Sequence, residues 1–138
     1  MADNVSRVDY FYTQVPDRPG EGARALRTLR DAGVNLLAFS GFPEGRAAQL
    51  DFVPDDATAF RQAAKKAGWK VTGPKRAFLV QGDDRRGAVA DIVGKLADAK
   101  INIVAVDAAC AGAGRYGAIV WVAPRDVNRA AKVLGVTG

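Results

Sequence analysis

Apolar and polar residues follow one another along the chain in a regular order. Residues 7–15 are rich in Val, Tyr, Phe and Thr and read as a strand. The string Pro16-Asp17-Arg18-Pro19-Gly20 breaks it, as a turn should. Ala23, Leu26 and Leu29 then recur at helical spacing over residues 20–32, and Gly33 ends that helix. Residues 34–42 and 46–53, joined by Pro43-Glu44-Gly45, predict a β-hairpin. Asp55 or Asp56 can cap a second helix through Phe60, Ala63, Ala64 and Ala67, stopping at Gly68. Residues 69–72 predict a short strand that Gly73-Pro74 breaks. The order to this point is β-α-β-β-α-β.

The pattern then starts again. Residues 76–81 predict a strand, Gly82-Asp83-Asp84 a turn, and residues 85–99 a helix with Val89, Ile92, Val93 and Leu96 on one face. Strands over residues 101–109 and 116–122 flank a Gly-rich turn, and residues 127–134 predict a last short helix after Pro124. The two halves are one sequence written twice, 67 positions apart. Asp17, Arg18 and Gly20 align with Asp84, Arg85 and Gly87; Ala23, Leu29, Asp31, Ala32, Asn35 and Ala38 meet identical residues at the same offset. Ungapped identity of this kind points to an internal repeat. The second copy has no clear last strand, because the chain stops soon after its final helix. That would leave residues 76–81 as an open sheet edge unless the segment near Val71 or a second chain fills the gap, so at least a dimer is expected.

Composition narrows the function. The chain has 138 residues, about half apolar and a quarter charged, as in a soluble globular protein. It has no apolar run of membrane-spanning length and no secretory-type start, and its single cysteine, Cys110, cannot form an internal disulfide. A cytoplasmic location is expected. The net charge of +5 is spread over both halves in short runs, and Arg24, Arg27 and Arg30 fall on one helix face that reads as solvated, which argues against nucleic-acid binding. The chain contains no histidine. That removes the commonest general base and metal ligand, so neither catalytic residues, nor a metal, nor a cofactor is expected.

The stretch Val15-Pro-Asp-Arg-Pro-Gly20, a helix, and then Ala32-Gly-Val-Asn-Leu-Leu37 resembles the ACT domain pattern, in which a D/N-R-P-G turn follows the first strand and G-V-N-I opens the second. Residues 82–104 repeat it more loosely: Arg86 replaces the proline and Lys100 the glycine. The resemblance covers nearly the whole chain. It implies an α+β protein of two ferredoxin-like βαββαβ units in tandem, residues 1–75 and 76–138, with antiparallel sheets carrying helices on one face. It also implies binding of an amino acid or similar small molecule where two units meet, and regulation of a metabolic enzyme, here in trans.

The candidate ligand residues are Asp17, Arg18, Pro19, Gly20, Glu21, Gly22, Asn35 and Leu36 in the first copy, and Asp84, Arg85, Arg86, Gly87 and Asn102 in the second. The chemistry of the turn agrees. Backbone N–H groups at a helix start suit a carboxylate, and Gly20 and Gly22 permit close approach. Asp17 or Asp84 can accept from an ammonium, and Asn35 or Asn102 can both donate and accept. The same residues also suit plain structural work: aspartates that cap helices, Pro19 in a first helical turn, asparagines bonding backbone. In the second copy Arg85 and Arg86 bring positive charge to an anionic ligand.

Three further features are weaker. Gly112-Ala-Gly-Arg-Tyr-Gly117 fits G-x-G-x-x-G but lies between two predicted strands, where a dinucleotide fingerprint needs a helix. Phe78-Leu-Val-Gln-Gly82 is similar to the phosphate-loop strand of acylphosphatases, yet Asp83-Asp84 would repel a phosphate. Cys110 reads as a small core or rim residue, and Trp69, Trp121, Phe39 and Phe52 as core aromatics. The leading expectation is a non-catalytic amino-acid sensor. The alternatives are an interaction subunit with a vestigial site and a small acylphosphatase-like hydrolase.

Overall fold

The helix ends repeat as faithfully as the sequence does. The computed structural model describes residues 3–136. Its elements run β1 (Asn4–Pro16), α1 (Glu21–Asp31), β2 (Leu36–Glu44), β3 (Ala47–Pro54), α2 (Ala57–Lys66), β4 (Thr72–Asp83), α3 (Ala88–Asp98), β5 (Ile103–Gly112), β6 (Arg115–Val122), a 3-10 turn (Pro124–Asp126) and α4 (Val127–Leu134). After α1 the Val34 N–H donates to the Leu29 carbonyl at 2.9 Å; after α3 Ile101 donates to Leu96 at the same distance. This is the closing bond of a helix whose chain turns through a left-handed residue. That residue is Gly33 at φ +77° in one copy and Lys100 at φ +59° in the other. Asp56, not Asp55, caps α2, its side chain accepting from the Ala59 N–H at 3.1 Å.

The chain divides into two compact units. The first is Asp9–Lys75; the second joins the residues up to Val8 to those from Arg76 onward. Within the first unit the strand order is β2-β3-β1-β4, with β1 and β2 each antiparallel to β3. Phe11 lies opposite Phe52 on β3, and Phe39 opposite Phe52 from the other side. The core gathers where α1 and α2 cover this sheet. The Phe11 and Phe60 rings stack at 4.7 Å, Phe52 meets Phe60 at 5.3 Å, and Trp69 stacks on Phe52 at 5.9 Å. Phe39 is half exposed at the edge, not in the core as its sequence suggests, because β2 is the outermost strand.

Within the second unit the order is β1-β4-β6-β5, with β6 antiparallel to both β4 and β5. Phe78, Val80, Ile92, Leu96, Val120 and Leu134 form its core. The fourth strand that this half lacks in sequence is the beginning of β1, Asn4 to Val8, and Val5 packs against the core. The edge at residues 76–81 is therefore covered by the chain's own N-terminal residues. The expected need for residues near Val71 or a second chain to cover it does not arise. Strand β4 also runs straight through Gly73-Pro74, where the sequence predicts a break. Gly73 sits at φ +131°, and a Cβ there would come within 2.8 Å of the Tyr10 carbonyl oxygen, so the missing side chain lets the strand lie against β1.

The buried stripe of α1 differs from the predicted one. Ala25 and Leu29 are buried while Ala23 is exposed, and Glu21 is buried in line with them one turn earlier. An ionised Glu21 tolerates this place because two guanidiniums hold it.

Gly33 and Lys100 yield a stability test. Gly33→Ala should destabilise by about 1 kcal/mol, and Lys100→Gly should stabilise by a similar amount, because a Cβ is penalised in the left-handed region. Denaturant midpoints at unchanged slope would measure both.

Candidate functional site

In the first unit a groove of about 870 Å³ opens between α1, the end of β1 and the segment that leads from α2 into β4. That is an ordinary volume for a small-molecule site. Thr13 and Val15 of β1 line it, with Glu21 and Arg24 of α1, Trp69 and Lys70. The Thr13 hydroxyl donates to the Lys70 carbonyl at 2.6 Å and ties β1 to the segment leading into β4. Glu21 is buried; Arg18 Nε donates to its Oε2 at 2.7 Å and an Arg24 terminal nitrogen to its Oε1 at 3.2 Å. Both carboxylate oxygens are thus engaged. Three cations, Arg18, Arg24 and Lys70, stand at or beside the groove against this one neutralised carboxylate, so its field favours an anion.

Of the residues the sequence nominates around the first turn, Glu21 alone lines this groove. Asp17, Arg18, Pro19 and Gly20 form the exposed turn above it, with Gly20 left-handed at the start of α1, which no side chain caps. Gly22 is half-buried in the first turn. Asn35 and Leu36 lie elsewhere. They line a depression of about 370 Å³ with Leu29 and Gly33, beyond the C-terminal end of α1. The eleven residues of α1 separate them from the turn by about 16 Å. Within one unit, therefore, Asp17 and Asn35 do not converge on one zwitterion. The Asn35 carbonyl accepts from the Asp55 N–H at 3.0 Å.

The second turn is built differently. Asp84, Arg85 and Gly87 line a cavity of about 300 Å³ with Cys110 and Tyr116. Arg86 is exposed, and Asn102 is exposed beyond the far end of α3. The groove that corresponds to the 870 Å³ one also exists here, at about 500 Å³: Asp91, Ile92, Lys95 and Gly135 line it at the positions of Arg24, Ala25, Thr28 and Gly68. Sequence reasoning missed both grooves. The signal lay in the repeat, because the lining residues recur at the same offset as the turns.

The G-x-G-x-x-G string forms the β5–β6 hairpin. Cys110 is exposed on β5, so of the core and rim places its sequence context suggests it does not take the core one. Its Sγ donates to Asp84 Oδ2 at 3.3 Å, and that bond, with the charge of Asp84, pushes the thiol above its ordinary value. Among the described residues no cluster of three or more candidate metal ligands occurs, and no helix is long and apolar enough to cross a membrane. The Asp84 contact predicts a sluggish thiol: Asp84→Asn should raise the alkylation rate of Cys110 severalfold at neutral pH, since loss of the neighbouring charge lowers the thiol's pKa. Iodoacetamide kinetics followed by mass spectrometry would check it.

No protein-family model and no curated protein matches the chain. Solved structures do. Protein BT0572 from Bacteroides thetaiotaomicron superposes with a TM-score of 0.78 at 16% identity, over 96% of this chain and 88% of that one. The ligand-free regulatory subunit of aspartate kinase from Thermus thermophilus gives 0.67 at 15% identity, over 98% and 95%. A structure of aspartokinase alpha and beta subunits gives 0.64 at 17% identity, over 97% and 95%. At such identities the likeness is one of fold. The α+β architecture, with ferredoxin-like units in tandem, is one this chain shares with the ligand-free regulatory subunit of aspartate kinase from Thermus thermophilus.

Proposed function

We propose that this chain is a non-catalytic regulatory protein that senses a small carboxylate-bearing metabolite, an amino acid in the first instance, at the entrance of α1 and the groove beside it. The observation that carries the reading is the groove of the first unit: about 870 Å³, with cations outnumbering a single carboxylate that is already engaged. A ligand carboxylate would find Arg24 and Lys70, and the Thr13 and Thr28 hydroxyls, which already donate to backbone carbonyls, could accept from its ammonium. The fold it shares with regulatory subunits of aspartate kinases supports a regulatory role. The absence of histidine weighs against general-base chemistry. In this reading the protein acts as a homodimer in the cytoplasm, on a metabolic enzyme in trans. A ligand bound more tightly by one quaternary arrangement than by another shifts the balance between them by that difference in affinity.

A thermal-shift and calorimetric screen against the standard amino acids tests this. A true ligand at 100 times its Kd adds about 2.7 kcal/mol of stability, which a melting curve resolves. Arg24→Ala should weaken that ligand about tenfold, the loss of roughly 1.4 kcal/mol. If no amino acid shifts the melting curve, or if Arg24→Ala leaves the affinity unchanged, the proposed site is wrong.

A further inference from the structure

The second unit's groove already holds a carboxylate, and it is the chain's own. Asp3 precedes β1, and its side chain is only 8% exposed. Its two oxygens receive both terminal nitrogens of Arg85, at 3.1 and 3.3 Å, a bidentate pair. Gly82 of β4 makes the room: a Cβ there would collide with the Asp3 carboxylate and approach the Tyr116 ring to 2.9 Å. The Tyr116 hydroxyl is buried, and burial above all, with the neighbouring Asp3 carboxylate, pushes it above its ordinary value. A second bond, from Arg85 to Asp91 at 3.0 Å, fixes the guanidinium from the helix side.

The first unit lacks this arrangement for readable reasons. Arg18 stands where Arg85 stands, but Glu21 replaces Ala88 and captures it at 2.7 Å. Val15 stands where Gly82 stands and puts a side chain into the lining of the groove. In the second unit position 88 offers no acid, so Arg85 reaches past the helix start to Asp3. The groove that measures about 870 Å³ in the first unit measures about 500 Å³ here, with Asp3 and Val5 among its walls.

We propose that Arg85, Gly82 and Tyr116 form a carboxylate-binding seat that the chain keeps filled with its own Asp3, which narrows the second unit's groove and leaves that of the first unit the wider of the two. The seat takes a small carboxylate by the chemistry of its present occupant. This rests on the proposed function only for the claim that the other groove binds a metabolite; the seat itself is testable without it.

Chemical rescue is the test. Asp3→Ala vacates the seat and should lower Tm by a few degrees. Sodium acetate or formate should then raise Tm along a saturating curve, while sodium chloride at equal ionic strength should not. The acetate-specific shift of Asp3→Ala should exceed that of the wild-type chain, and Asp3→Ala combined with Arg85→Ala should lose the excess. Equal responses to acetate and chloride in Asp3→Ala, or a rescue that survives loss of Arg85, would overturn the proposal. A measurement on the wild-type chain covers the case in which the variant does not fold. The groups facing Asp3 are Arg85 of the turn, Tyr116 of β6, and Lys95 of α3, with Asp91 behind Arg85. The hydrogen bond from Arg85 holds the Asp3 carboxyl below the ordinary value of 3.8. By linkage the pair's stabilisation is complete above that value and is lost as pH falls through the lower, folded-state value. In an NMR titration the Asp3 carboxyl carbon and the Arg85 guanidinium should move together below pH 3.8. Independent titration, or an Asp3 midpoint at or above the ordinary value, would count against the seat. Failure of the amino-acid screen with successful acetate rescue would end the sensor reading alone; the reverse result would end only the seat.

Discussion

A β-sheet must satisfy the backbone groups of every strand that it buries, and that requirement organises this molecule. Each unit needs a strand beside its central one. The two long strands answer the need. β1 has 13 residues and β4 has 12, and each gives one stretch to each unit. The opening residues of β1 pair within the second unit and send Val5 into its core. The opening residues of β4 pair within the first, against a β1 that Gly73 allows to come close. Strand pairing, not a ligand contact, therefore brings Asp3 to Arg85.

Once the strands are set, a few charge substitutions make the two copies unequal. Position 21 is glutamate and position 88 alanine; position 24 is arginine and position 91 aspartate. In the first unit the acid lies within the helix's own first turn and neutralises two arginines locally. In the second the acids lie one helical turn further on, at Asp91, and just before β1, at Asp3, and the arginine spans the gap between them. A buried carboxylate is tolerable only when it is paired. Where the pairing partner lies then decides how much of the groove stays open. The same backbone twice over thus yields one open groove and one narrowed by an internal ion pair.

The edge strands carry the remaining contrast. β2 exposes Leu37, Phe39 and Phe42, and β5 exposes Val104 and Val106. Both are outermost in their units. Their apolar content misled the sequence reading for Phe39, since β propensity and hydrophobicity are indifferent to whether a strand lies at the centre of a sheet or at its edge.

The sequence by itself determined the repeat, the order of the elements, the helix ends and the turn that opens each copy. These are local matters: a helix stops where a left-handed residue follows it, and residues 33, 68, 100 and 135 mark those stops whatever surrounds them. It also placed the G-x-G-x-x-G string in a hairpin, because the spacing of β-formers on both sides leaves no helix for it. Tertiary structure alone decided which strand completes the second unit, that Gly73-Pro74 lies inside a strand, and that Glu21 is buried. It also decided that Asp3 holds Arg85. Each of these joins residues distant in sequence, or sets which face of an element is covered. Pairing between β1 and β4 and the cover laid over their sheets fix those choices, and a periodic pattern read along one element contains no information about its neighbours.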